Sequence, residues 1–99
     1  MKVSTWYGSG IYGVRVGSKN RENYFDPAWE TIIVVLDGQE YTFKLTDGFW
    51  NECPEFRESK DEPVIKNWLL KYRTLNWPNR QTPKMELIPI EPKKFKLVP

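Results

Sequence analysis

The string Cys53-Pro54-Glu55-Phe56-Arg57 contains the only cysteine in the chain, set just before a proline with a guanidinium four residues on. A helix N-terminus and a nearby cation both favour the thiolate, so the string has some ingredients of a nucleophile. A catalytic thiol also needs a base to take its proton, or a phosphate-binding loop around it. The chain has no histidine and the string has no glycine. The residues therefore point to a structural Cys53, expected in the interior where free cysteines usually lie. An enzymatic role, if there is one, would centre on it.

Gly8-Ser-Gly-Ile-Tyr-Gly13 matches G-x-G-x-x-G letter for letter. Phosphate cradling by that motif in a dinucleotide site needs a strand before it and a helix opening at it, and the flanking residues predict neither. The kinase version, set between strands, requires machinery that 99 residues cannot hold. The glycines are read as an entry into a strand, where a missing side chain permits close backbone approach or a bulge.

Glu52, Glu55, Glu58, Asp61 and Glu62 offer oxygen ligands for a hard cation, but no D-x-[DN]-x-[DN]-G loop is present. Arg57 and Lys60 interrupt the acids, and Asp61 and Glu62 suit the first turn of a helix, where the macrodipole favours negative charge. Neither a metal nor a cofactor is expected. Paired-carboxylate sugar chemistry needs a cleft that is hard to build in so small a domain.

These residues must be held by a single domain spanning 1–99, with 1–10 and 93–99 expected to fray. Fifteen aromatics, five each of Trp, Tyr and Phe, supply a core and argue against disorder. Tyr12, Val14 and Val16 alternate with Gly13 and Arg15 as in a strand. Ser18–Asn23 suggests a loop with a helical turn. Thr31–Leu36 is the strongest β signal, and Asp37-Gly38 after it is the dipeptide of a two-residue type I′ turn. The resulting hairpin, 31–45, sets Leu36 opposite Gln39, Val34 opposite Tyr41 and Ile32 opposite Phe43.

Residues 46–57 read as a turn or short helix anchored by Phe49, Trp50 and Phe56. Ser59, Asp61, Glu62 and Pro63 then carry cap, acidic first-turn and early-proline signals for a helix over about 61–76. At 100° per residue, Val64, Ile65, Trp68, Leu69, Tyr72 and Leu75 share one stripe. Pro83, Pro89, Pro92 and Pro99 confine the tail to edge strands or extended arms. The expected fold is α+β: a small antiparallel sheet built on a central hairpin, packed by one amphipathic helix, with proline-bearing C-terminal edge strands.

On the side of that helix away from the stripe, the spacing groups Lys66, Leu70, Arg73 and Trp77, with Arg80 just beyond. A leucine and a tryptophan among cations fit a partner-binding strip, since Trp and Arg dominate interface energetics. Charge adds to this. Residues 1–63 hold seven Lys/Arg against eleven Asp/Glu, a balance of −4, and residues 64–99 hold eight against two, a balance of +6. Such a split steers a charged partner, provided the fold does not interleave the halves.

The expectation is thus a non-enzymatic binding module with a protein partner or homodimer mate, of the kind small regulators and inhibitors provide. The alternative is a nucleic-acid-binding protein using the basic C-terminal half, Arg80, Lys84, Lys93, Lys94 and Lys96, with Trp77 or Tyr72 to stack on bases. A pI near 8.7 is modest for such a role. No secretory leader or membrane span is read, and a lone cysteine suits a reducing, cytoplasmic setting.

Overall fold

A computed structural model describes residues 1–78 and 81–99. In chain order the elements are β1 (Lys2–Gly8), β2 (Ile11–Arg15), α1 (Ser18–Tyr24), β3 (Thr31–Leu36), β4 (Gln39–Lys44), α2 (Asp47–Asn51), β5 (Glu55–Arg57), α3 (Val64–Tyr72), β6 (Lys84–Glu91) and β7 (Lys94–Val98). The architecture is α+β, with one seven-stranded mixed sheet in the order β4-β3-β7-β6-β1-β2-β5.

The β3–β4 hairpin has the register that its alternation and turn dictate, Leu36 opposite Gln39 through Ile32 opposite Phe43. Asp37 (φ 52) and Gly38 (φ 79) both take the positive φ of a type I′ turn. Ser9 (φ 52) and Gly10 (φ 79) repeat the arrangement between β1 and β2. The G-x-G-x-x-G string is therefore a hairpin. Both chain ends, expected to fray, lie in paired strands.

Three features of the expected sheet are corrected. It has seven strands, and β3 runs parallel to β7 while every other pair is antiparallel. The 31–45 hairpin lies at one end of the sheet, not at its centre. The proline-bearing strand β6 and its neighbour β7, which contains no proline, are interior. Proline is tolerated there because β1 pairs with β6 only over Lys84–Glu86, so Pro89 lies past that ladder, at a register shift against β7.

The sheet curls until its edge strands approach each other, and Phe43 of β4 meets Phe56 of β5 with ring centroids 5.1 Å apart. Inward residues of all seven strands, among them Val3, Val14, Ile32, Val34, Met85, Leu87, Phe95 and Leu97, fill the enclosed core. One end is closed by Phe25 and Phe49, with Phe25 stacked on Phe95 at 4.9 Å. The other end, at the Ser9-Gly10 and Asp37-Gly38 turns, receives α3, which buries Ile65, Trp68 and Leu69.

The helix is shorter than its sequence signals suggest, 64–72 against about 61–76, and its first turn carries no acidic residue. Its N-terminal amides are satisfied from a distance. Glu58 Oε1 accepts from the backbone N–H of Ile65 at 2.9 Å and of Lys66 at 2.8 Å. A carboxylate there meets both the orphan donors and the positive end of the helix dipole. Ser59 and Glu62, expected near a cap, form an isolated β-bridge instead.

Candidate functional site

Three of the five predicted partner-binding residues share an exposed surface on α3. Ile65, Trp68 and Leu69 turn inward; Lys66 and Leu70 point outward, and Arg73 at the helix C-cap is exposed too. Leu70 is 58% exposed, which leaves an apolar side chain in water between two cations. Val64, Tyr72 and Leu75 are partly buried against the core.

Trp77 is not on the helix, because α3 stops at Tyr72. A turn follows, in which the Asn76 N–H donates to Thr74 Oγ1 at 3.0 Å. It brings Trp77 edge-on to Tyr12, with centroids 6.3 Å apart, and Tyr12 in turn packs on Tyr7 at 4.7 Å. Tyr7, Tyr12, Leu75, Asn76 and Trp77 line a cleft of about 410 Å³ at the α3 end of the curled sheet. Arg80 lies outside the described residues.

The aromatic pair at this mouth escaped the sequence reading because β1 was not recognised. Val3, Thr5 and Tyr7 alternate ahead of the turn, and that signal is sufficient to find the strand. Tyr7 and Tyr12 are direct cross-strand partners. Tyr7 remains 53% exposed, whereas Tyr12 is buried. Burial pushes the Tyr12 phenol above its ordinary range, assisted by Tyr7 and by the Glu58 carboxylate.

Charge is partly interleaved. β6 and β7, from the basic half, lie between strands of the acidic half, and Lys94 pairs with Glu40 of β4. Lys71 pairs with Asp37 at 3.0 Å, and the Tyr72 hydroxyl also donates to Asp37. Those two donors, Tyr72 first, hold the Asp37 carboxyl below its ordinary range. Lys66 and Arg73 have no ion pair among the described residues. The cations proposed for nucleic acid are dispersed: Lys84 is at the start of β6, Lys93 in the β6–β7 turn and Lys96 mid-β7, while Tyr72 is engaged with Asp37.

Cys53 is exposed, not interior. It lines a cleft of about 330 Å³ with Lys44, Thr46, Glu52, Glu55 and Arg57. Among the described residues no three His, Cys, Asp or Glu side chains converge as a metal site. The acidic string is divided instead: Glu58 is buried on backbone amides, and Glu55 is buried with one oxygen 2.8 Å from Arg57 Nη2. Among the described residues, no helix is long and apolar enough to cross a membrane.

Comparison with models of known protein families, with curated proteins and with solved structures gives no match.

Proposed function

We propose that this chain is a non-enzymatic binding module that docks an acidic protein partner at its α3 end. The observation that carries the reading is Leu70, exposed by more than half between Lys66 and Arg73. Its burial by a partner would supply the apolar centre, and the two cations a charged rim that accelerates encounter and sets orientation. The Tyr7–Tyr12–Trp77 cleft at the same end would accept an apolar or aromatic side chain of that partner.

An acidic partner is favoured over a second copy. A two-fold contact through Leu70 would set Lys66 and Arg73 of one protomer against the same residues of its mate, and like charges brought together are costly. A lone cysteine suits a reducing cytoplasmic setting, where small folds rely on packing and not on disulfides.

The test is capture from nuclease-treated native lysate on immobilised wild-type chain, run beside Leu70→Asp and Arg73→Glu. A partner that survives nuclease and moderate salt, and is lost from both variants, supports the reading. Retention of every captured protein by Leu70→Asp, or complete release by nuclease, overturns it.

A further inference from the structure

We infer that the outer face of β6, β1, β2 and β5 is a second binding surface, and that its ligand is single-stranded nucleic acid. This surface is separate from the α3 end and does not depend on the role proposed for it.

Cross-strand register builds the face. Lys84, Ser4, Arg15 and Glu55 are successive partners across the four strands, and Trp6, Gly13 and Arg57 form the next row. All are on the side opposite the core residues Val3, Thr5, Val14, Phe56 and Met85. Lys2, on the same side of β1, adds a further cation. Lys2, Arg15, Arg57 and Lys84 are all exposed. The acids of the face are Glu86, which meets the N-terminal ammonium at 3.4 Å, and Glu55, whose side chain is only 1% exposed. Four exposed cations thus outnumber two carboxylates, of which Glu55 is buried, so this one face carries a surplus equal to the +2 of the whole chain.

Arg57 is pre-positioned. With no side chain at Gly13 between them, its guanidinium reaches over to Trp6 and lies 4.0 Å from the ring centroid. A Cβ on Gly13 would come within 2.5 Å of the Phe56 carbonyl oxygen, so glycine is also what lets β5 approach β2. Glu55 fixes the fork from one side through Nη2. A guanidinium held by stacking and a buried carboxylate loses little freedom on binding, and half of this side chain remains exposed.

Cations spread over four adjacent strands fit an extended polyanion better than an isolated phosphate. The flat, half-exposed guanidinium over Trp6 adds a platform on which an unpaired base stacks, and which an acidic peptide without aromatic side chains would not use. Charge complementarity together with stacking thus selects a single strand.

The experiment is fluorescence anisotropy of a short labelled oligo-deoxythymidine and an oligo-uridine over a salt series, with the full chain. Binding is expected with log affinity falling linearly in log salt, at a slope of about −3 for four phosphate contacts. Arg15→Gln and Lys84→Gln should each weaken binding several-fold and reduce the slope by about 0.7. Arg57→Lys, which keeps the charge and loses the planar stack, should weaken binding with little change of slope. Lys96→Gln on β7, with the same loss of charge, should bind like wild type. The inference is overturned by no binding at low salt, by Arg15→Gln and Lys84→Gln binding as wild type, by an equal loss in Lys96→Gln, or by polyglutamate competing as well as the oligonucleotide.

Discussion

Glu58 and Tyr12 are joined by two hydrogen bonds: the Glu58 N–H donates to the Tyr12 carbonyl, and the Tyr12 N–H donates to Glu58 Oε2, each at 3.0 Å. Because the other carboxylate oxygen holds the first turn of α3, one side chain ties the mouth of the curled sheet to the helix that closes it. The aromatic cleft and the exposed face of α3 therefore share a common support.

Glu58→Ala should destabilise the chain by about 3 kcal/mol or more, since it strands three backbone donors that have no other protein acceptor at this site. Urea denaturation measures the loss. Glu58→Gln, which keeps two acceptor positions at most, should fall between wild type and alanine, and a Glu58→Ala variant as stable as wild type would refute the role.

Leu70→Asp should leave stability within about 0.5 kcal/mol of wild type, because the side chain is mostly in water and fills no part of the core. Thermal unfolding tests this. A large loss would mean that Leu70 packs against something in solution, and the variant could then not be used to isolate partner binding.

Two glycines should respond to alanine for different reasons. Gly13→Ala sets a methyl against the Phe56 carbonyl and should cost about 2–3 kcal/mol by forcing β2 and β5 apart. Gly10→Ala meets nothing within 4 Å, and its cost of about 1–2 kcal/mol comes only from the positive φ. The distinction is visible by NMR: the Trp6 indole resonance should move in Gly13→Ala, where the Arg57 stack is disturbed, and stay in place in Gly10→Ala.

Asp37 predicts an acid-side pH dependence. Its carboxyl is held below the ordinary range by Tyr72 and then Lys71, so its folded pKa lies under its unfolded one. The unfolded state then binds the proton more readily, and the stabilisation is present above the unfolded pKa and lost as pH falls through the folded value. Asp37→Asn should flatten that limb of the stability profile. In Tyr72→Phe, NMR titration should show the Asp37 pKa moving back up.

Cys53 is exposed and should react stoichiometrically with a disulfide reagent in the native state, without denaturant. Cys53→Ser should leave stability and partner capture unchanged. Loss of capture in Cys53→Ser would move the functional site to the Lys44–Cys53–Glu55 cleft.

Local patterns sufficed for the β3–β4 hairpin, whose alternation and Asp37-Gly38 turn fix its pairing residue by residue, and for the inward stripe of Ile65, Trp68 and Leu69. These are set by neighbours a few positions apart, where side-chain period and turn geometry act directly. Pairing between distant segments followed other rules. The β3–β7 parallel contact, the interior place of a strand containing Pro89, and the capping of α3 by Glu58 depend on which segments meet in space. The α3 surface was legible as far as Lys66, Leu70 and Arg73, because helical spacing alone places them. Trp77 joined Tyr12 and Tyr7 only because the chain turns at Thr74, and Lys84, Arg15 and Arg57 became one face only because three ladders brought β6, β2 and β5 around β1. Within β2, β3, β4 and α3, the sequence by itself determined which way the side chains would face. The tertiary structure alone decided which elements are neighbours, because that choice rests on the summed burial of residues far apart in the chain.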